Sequence, residues 1–295
     1  MTARIIDGAA IGAAIRRDVA QQVADLTRRG TVPGLAVVLV GEDPASQAYV
    51  RAKARACGEA GIRSEVVTLP ASATSEQLFD VIDGLNADPA VHGILCQLPV
   101  PAHIDSAAIL TRIDPAKDVD GFHPINVGKL VLGDPTALKP ATPSGVQQLL
   151  VRSGIETRGA HAVIVGRSHL VGRPLANLLS QPGAGGDATV TLAHSRSRDL
   201  EAICRSADIL IVAIGRPGFI TAGAVRPGAT VIDVGTSRVE DPSQPRGYRL
   251  AGDVAFDEVA AVAGAITPVP GGVGPMTIAM LLVNTVQAAR GTANG

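Results

Sequence analysis

Six short, nearly continuous apolar runs punctuate the chain: Leu35–Val40, Gly93–Leu98, Ala162–Val165, Ala188–Ala193, Ile209–Ile214 and Thr230–Val234. Runs of this length, bounded by Gly, Pro or Asp, mark strands buried on both faces, as in a parallel sheet. A shorter run covers Val66–Leu69. Between the runs, apolar residues recur every three or four positions. That spacing predicts helices over residues 10–29, from Pro44 to near Gly58–Gly61, and over 75–86, 105–113, 143–151, 175–180, 199–206 and 276–289. Strands alternating with helices imply parallel βαβ units and an α/β fold built as two successive blocks.

The blocks are separated by residues 114–143, where Pro, Gly, Asp and Asn are frequent and no period persists. The pattern predicts a long irregular connection, and such connections are uncommon in compact domains unless functional. Residues 181–187 and 240–249 read as surface loops.

Composition narrows the function classes. The 295 residues suffice for one large or two ordinary domains, and at 46% hydrophobic they can bury a sizeable core. A net charge of −1 gives no reason to expect nucleic acid or an anionic membrane as partner. Four Phe, two Tyr and no Trp argue against a base-stacking platform. The N-terminus lacks a signal-peptide pattern, and Met276–Val283 is too short to span a bilayer, so the cytoplasm is the expected compartment. Cys57, Cys96 and Cys204 are far apart and support neither a disulfide framework nor a zinc site. The six histidines show no ligand spacing and read as scattered polar or surface residues, so no metal is expected.

Candidate chemistry begins after Leu35–Val40. Asp43 can cap a helix and Pro44 fits its first turn. Helical spacing then places Ser46, Tyr49 and Lys53 on one face. Only four of the 26 basic residues are lysines (53, 117, 129 and 139). A chain that writes Arg elsewhere points to an amine that can release its proton, which a guanidinium cannot; the alternative is a solvated helix lysine. Gln97 ends a strand at the edge where α/β ligands bind. Asp118 and Asp120 are either turn formers or an acid facing a polar heterocycle. Pro268–Pro275, with three Gly and three Pro in eight residues, is either a rigid linker or a surface of backbone amides for a ligand.

In the second block, Gly166-Arg-Ser-His-Leu-Val-Gly172 joins a strand to a helix. Glycines there admit a pyrophosphate to the helix N-terminus, although GxSxxxG is not the GxGxxG fingerprint and a plain turn is the alternative. The next strand ends in His194-Ser195-Arg196-Ser197, with no acid for an adenosine ribose. Arg196 and Arg167 favour the 2′-phosphate of NADP, unless both are simply solvent-facing.

Five stretches, 40–53, 93–101, 117–123, 165–174 and 268–277, carry a resemblance to the methylenetetrahydrofolate dehydrogenase/cyclohydrolase family. The resemblance implies two α/β domains around a cleft, the second a Rossmann-like parallel sheet, with the final helix returning to the first. It assigns residues 1–142 plus 275–295 to a folate-binding catalytic domain and 143–274 to an NADP-binding domain. It implies oxidation of 5,10-methylenetetrahydrofolate by NADP and hydrolysis of the methenyl product to 10-formyltetrahydrofolate. Lys53 would be the principal catalytic group, with Gln97 and Asp120. Ser46, Tyr49, Lys53, Gln97, Asp120, Gly271, Gly272, Val273, Gly274 and Pro275 would bind the folate. Gly166, Arg167, Ser168, Gly172, Ser195, Arg196 and Thr236 would bind the cofactor. A homodimer is implied as well. Ala141, Cys96, Thr236 and Ser197 depart from residues frequent in the family. A dehydrogenase lacking the hydrolytic step, or a binding protein without catalysis, are the alternatives; loss of Lys53 or of the Gly166 turn would have favoured the latter, and both are present.

Overall fold

A computed structural model describes residues 2–244 and 247–293. The elements run β1 (Arg4–Ile5), α1 (Gly8–Arg28), β2 (Gly34–Val40), α2 (Pro44–Ala60), β3 (Arg63–Leu69), α3 (Ser75–Ala87) and β4 (Gly93–Cys96). Then come α4 (Ser106–Arg112), α5 (Pro124–Leu132), α6 (Ala141–Arg152), β5 (His161–Val165), α7 (Gly172–Ser180), β6 (Thr189–Ala193) and α8 (Leu200–Arg205). The chain finishes with β7 (Ile209–Val212), β8 (Thr230–Asp233), β9 (Ser237–Glu240), β10 (Tyr248–Ala251), α9 (Phe256–Ala260), β11 (Ala265–Ile266) and α10 (Val273–Ala293).

These elements form two compact units. One combines the residues up to Ala13 with Thr142–Thr277. Its sheet is six-stranded in the order β1-β11-β8-β7-β5-β6, and every pairing is parallel. β7 and β8 are buried at every position, which is why they read as unbroken apolar runs. The other unit combines Ala14–Ala141 with the residues from Ile278 onward. It holds a three-stranded parallel sheet in the order β3-β2-β4, with all seven residues of the central β2 buried. Its core joins Val38 and Val40 of the sheet to Leu78 and Ile82 of α3 and Ile109 of α4.

Four expectations change. The first 13 residues, expected with the folate domain, group with the six-stranded unit, because Arg4 and Ile5 pair with Ala265 and Ile266. Residues 114–143 are not irregular throughout, since α5 lies among them. His123 caps it, Nδ1 accepting from Ile125 N at 3.1 Å, and Pro124 takes its first turn. Its period was masked because it exposes Ile125, Val131 and Leu132 to solvent. The loop predicted over 240–249 includes part of an antiparallel hairpin, β9 with β10; residues 245–246 of that span lie outside the described residues. The histidines are not all surface groups: His92 and His123 are buried, and His92 Nδ1 accepts from Gly34 N at 3.1 Å. Among the described residues no three His, Cys, Asp or Glu side chains gather to hold a metal ion, and no helix is long and apolar enough to cross a membrane.

Candidate active site

α2 delivers the amine. The Asp43 carboxylate caps it, accepting from Ser46 N at 2.7 Å, and Pro44 stands in its first turn. Along the helix, Ser46 is buried, Lys53 is half-buried and Tyr49 is 54% exposed. The three therefore divide the predicted face: Ser46 serves the interior, while the Tyr49 ring is open to a ligand. β4 delivers the partner. Gln97 lies one residue past its end, with its amide donating to Val38 O at 2.8 Å. Lys53 Nζ donates to Gln97 Oε1 at 3.0 Å, and Gln97 Nε2 donates to Leu98 O at 2.7 Å. The second bond fixes which end of the amide meets the amine.

The third group is Asp120. Its carboxylate has no hydrogen-bond partner among the described residues, yet it acts on Lys53 through its charge. Burial of the amine lowers the Lys53 pKa from its ordinary value, and the Asp120 charge opposes that only in part. Burial pushes the Asp120 carboxyl up to about 6, with Lys53 pulling it down and Asp118 pushing it up. The result is an amine that releases its proton more readily than a surface lysine, beside an acid that retains its own more firmly. Such a pair suits proton transfer near neutral pH. The cysteines do not compete as nucleophiles: burial pushes the thiols of Cys57 and Cys204 up to about 11 and that of Cys96 up to about 12.

The two acids of the 117–123 stretch have separate tasks. Asp118 is the turn former, accepting from Gly121 N at 3.1 Å, His123 N at 2.8 Å and Asn126 Nδ2 at 2.9 Å. Asn284 of α10 steadies the same loop, donating to Val119 O at 2.8 Å and Lys139 O at 2.7 Å. Lys117 closes the C-terminus of α3 and the turn after it, donating to Leu85 O, Asn86 O and Asp88 O at 3.1, 2.7 and 2.7 Å. Three donors on one point charge fit three converging carbonyls, which explains a second retained lysine.

In the other unit the Gly166–Gly172 turn is built for close approach. A Cβ on Gly166 would stand 2.2 Å from Ala213 O, and one on Gly172 would stand 1.9 Å from Gly166 O. The glycines bring the end of β5 and the start of α7 together, so the backbone is bare where a pyrophosphate needs it. Ser168 shapes the turn, its Oγ accepting from Val171 N at 3.1 Å. A cavity of about 280 Å³ opens beside it at the C-terminal edge of the sheet. Gly166, Arg167 and Ser195 line it; Arg196 is the exposed neighbour of Ser195, and Thr236 is exposed beyond β8. Ser197 Oγ accepts from His194 N at 3.0 Å and Arg196 N donates to His194 Nδ1 at 3.1 Å, which folds the tight turn after β6. The residues present fit a dinucleotide: a bare turn, a helix N-terminus, and cations with no acid at the ribose end.

Arg216 and Phe219 also line the cavity, the guanidinium carbon lying 4.6 Å from the ring centroid. Sequence reasoning passed over them, although Arg216 follows the C-terminal end of β7, the edge where α/β ligands bind. Gly271 and Gly272 also belong to this unit. Gly271 O accepts from Ala9 N at 2.9 Å, and Gly8 is packed so closely on Gly272 that a Cβ there would lie 1.8 Å from its oxygen. Val273 starts α10 and is buried, Gly274 is exposed and Pro275 is half-buried.

The family model for the tetrahydrofolate dehydrogenase/cyclohydrolase catalytic domain matches residues 6–120. That for the NAD(P)-binding domain of the same proteins matches residues 140–293. The bifunctional protein FolD 1 of Myxococcus xanthus is 58% identical over 290 residues, covering 98% of this chain and 99% of its own. The bifunctional protein FolD of Acidiphilium cryptum is 59% identical over 289 residues, covering 98% and 99%. The Trypanosoma brucei N5,N10-methylenetetrahydrofolate dehydrogenase-cyclohydrolase, solved with NADP cofactor and inhibitor, is 44% identical, with a TM-score of 0.93 and all of both chains covered. An amine–amide pair on one α/β unit, a dinucleotide turn on the other and these likenesses along the whole length lead to one conclusion: the chain belongs to the tetrahydrofolate dehydrogenase/cyclohydrolase family.

Proposed function

We infer that the protein oxidises 5,10-methylenetetrahydrofolate to the methenyl form with NADP and hydrolyses that product to 10-formyltetrahydrofolate, using Lys53 as the proton-transfer group for hydrolysis. The observation that carries the reading is the 3.0 Å contact of Lys53 Nζ with Gln97 Oε1, with the Asp120 carboxyl coupled to the same amine through its charge. NADP, when bound, supplies the hydride acceptor. Tyr49, exposed at the head of this group, stacks on the folate and orients it. Asp120 accepts hydrogen bonds from the pterin, which fixes the one-carbon bridge near Lys53.

Loss of hydride leaves a cationic carbon between two nitrogens, and water attacks it. The neutral Lys53 amine takes the proton from that water as the C–O bond forms. The resulting ammonium gives its proton to the folate nitrogen as that nitrogen's bond to the carbon breaks, and the remaining hydroxyl proton passes to solvent as the formyl C=O forms. Gln97 holds Nζ in place throughout without adding charge. Gly271 to Pro275 contribute backbone to folate binding. Gly166, Gly172 and Ser168 shape the pyrophosphate turn, Arg167, Ser195 and Arg196 receive the adenosine 2′-phosphate, and Thr236 lines the cofactor's path. On that assignment NADP turns over faster than NAD, and Arg167→Ala removes most of the difference; equal rates with both cofactors in the unaltered protein contradict it.

The direct test follows NADPH and methenyltetrahydrofolate separately in one spectroscopic assay, and the hydrolysis of added methenyltetrahydrofolate in another. The reading expects NADPH with little methenyl accumulation and hydrolysis above the buffer rate. NADPH with methenyl build-up and no enhanced hydrolysis would leave a dehydrogenase alone. We propose further that the protein works as a cytoplasmic homodimer, as the family resemblance implies; a monomeric mass by light scattering counts against the dimer.

A further inference from the structure

Asp253 has no exposed surface. Three successive backbone amides converge on its carboxylate: Ile214 N at 2.7 Å and Gly215 N at 3.0 Å on Oδ2, and Arg216 N at 2.6 Å on Oδ1. These residues form the loop that leaves β7. Ile214 and Arg216 line the cavity shared with Gly166, Arg167 and Ser195. Asp253 is itself held from behind, because its amide donates to Asp233 Oδ1 at 2.9 Å and the next amide, Val254 N, donates to Asp233 Oδ2 at 2.9 Å. Asp233 N in turn donates to Thr267 Oγ1 at 2.8 Å. Room has been made for both acids: a Cβ on Gly235 would lie 2.4 Å from Asp253 Oδ1, and one on Gly252 would lie 1.9 Å from Asp233 Oδ2.

A buried carboxylate is costly unless hydrogen bonds replace its water. Here three amides do so, and the requirement is chemical. A carboxylate offers two accepting oxygens, whereas an Asn side chain offers one and would turn an NH2 group toward backbone donors. A loop needing only closure could use one Ser or Asn cap. Convergence of three donors fixes the backbone at three consecutive residues, on the wall where the cavity is formed.

We propose that Asp253 is a positioning residue for the cofactor: by clamping Ile214–Arg216 it holds one wall of the adenosine cavity in its binding shape. The proposal rests on reading that cavity as the NADP site. Asp253 touches no ligand; it acts through the loop, and its effect falls on binding rather than on chemistry. A wall that must be ordered on binding lowers affinity by the cost of ordering it.

The test compares Asp253→Asn with the unaltered protein in three readouts: the dissociation constant for 2′,5′-ADP, the dehydrogenase KM for NADP against kcat, and hydrolysis of added methenyltetrahydrofolate. The last consumes no cofactor and reports on the integrity of the other unit. The expected result is a loss of affinity and a rise in KM of at least about tenfold. Dehydrogenase kcat and hydrolysis stay within about threefold, a change of under about 1 kcal/mol. Amide exchange at residues 214–216 accelerates in the same variant. Unchanged affinity overturns the proposal. If Asp253→Asn does not fold, Gly235→Ala displaces the same carboxylate from behind, because a Cβ there would lie 2.4 Å from Asp253 Oδ1; a weaker grip on 2′,5′-ADP supports the proposal and an unchanged one overturns it. Arg167→Ala separates the two levels. If it leaves 2′,5′-ADP binding intact, the cofactor reading of the cavity fails; if it weakens binding while Asp253→Asn does not, only the positioning role fails.

Discussion

Lys53, Gln97 and Asp120 show how three side chains of ordinary kind become a reactive group. None is unusual alone. The amine is made readier to lose its proton by burial, and the acid is made slower to lose its own by the same cause. This costs stability. A carboxyl whose folded pKa is raised to about 6, above its ordinary 3.8, binds its proton more tightly in the native state. Its contribution to stability is therefore greatest below about 4 and is lost as pH rises through about 6. Asp120→Asn should raise Tm at pH 8 and leave it unchanged at pH 4, while activity falls; a lower Tm at pH 8 would contradict the account. The sequence exposed Lys53 through lysine scarcity and the strand–helix context. The same scarcity marked Lys117, whose three carbonyl partners arrive from the C-terminal end of α3 and the turn beyond it. Scarcity identifies a role that arginine cannot fill; only the partners show which role it is.

At the scale of elements, legibility followed burial. Strands buried on both faces, such as β2, β7 and β8, were read from their apolar runs. Helices with strong caps, such as α2 and α3, were read from Asp43-Pro44 and from a start at Ser75; Thr74 caps the latter. α5 was missed because exposed Ile125, Val131 and Leu132 spread its apolar positions around the helix. β1 and β11 were missed because two residues each carry no period; pairing alone defines them. The loop between α4 and α5 depends on Asp118, a buried acid serving two backbone amides and an asparagine. Asp118→Ala leaves those donors unpaired and should destabilise the fold by about 3 kcal/mol. Urea denaturation reads this as a lower midpoint at unchanged slope; a loss under about 1 kcal/mol would show that the loop is held elsewhere.

The whole molecule divides its work between two α/β units, and the break falls within α1, at the start of α6 and within α10 rather than in linkers. Sequence composition could not place the first of those breaks, because a two-residue strand decides where the N-terminus belongs. The division predicts local effects of ligands. Hydrogen exchange with saturating NADP should slow in residues 161–216 and leave β2 and β4 nearly unchanged, since a ligand stabilises the structure that binds it. Protection confined to β2 and β4 would misplace the cofactor. The central claim, that Lys53 performs the proton transfer of hydrolysis, is tested most directly by Lys53→Met and its hydrolysis of added methenyltetrahydrofolate. The account predicts a fall of at least about a hundredfold, toward the buffer rate, with 2′,5′-ADP binding unchanged. A variant that hydrolyses at the rate of the unaltered protein would remove Lys53 from the mechanism.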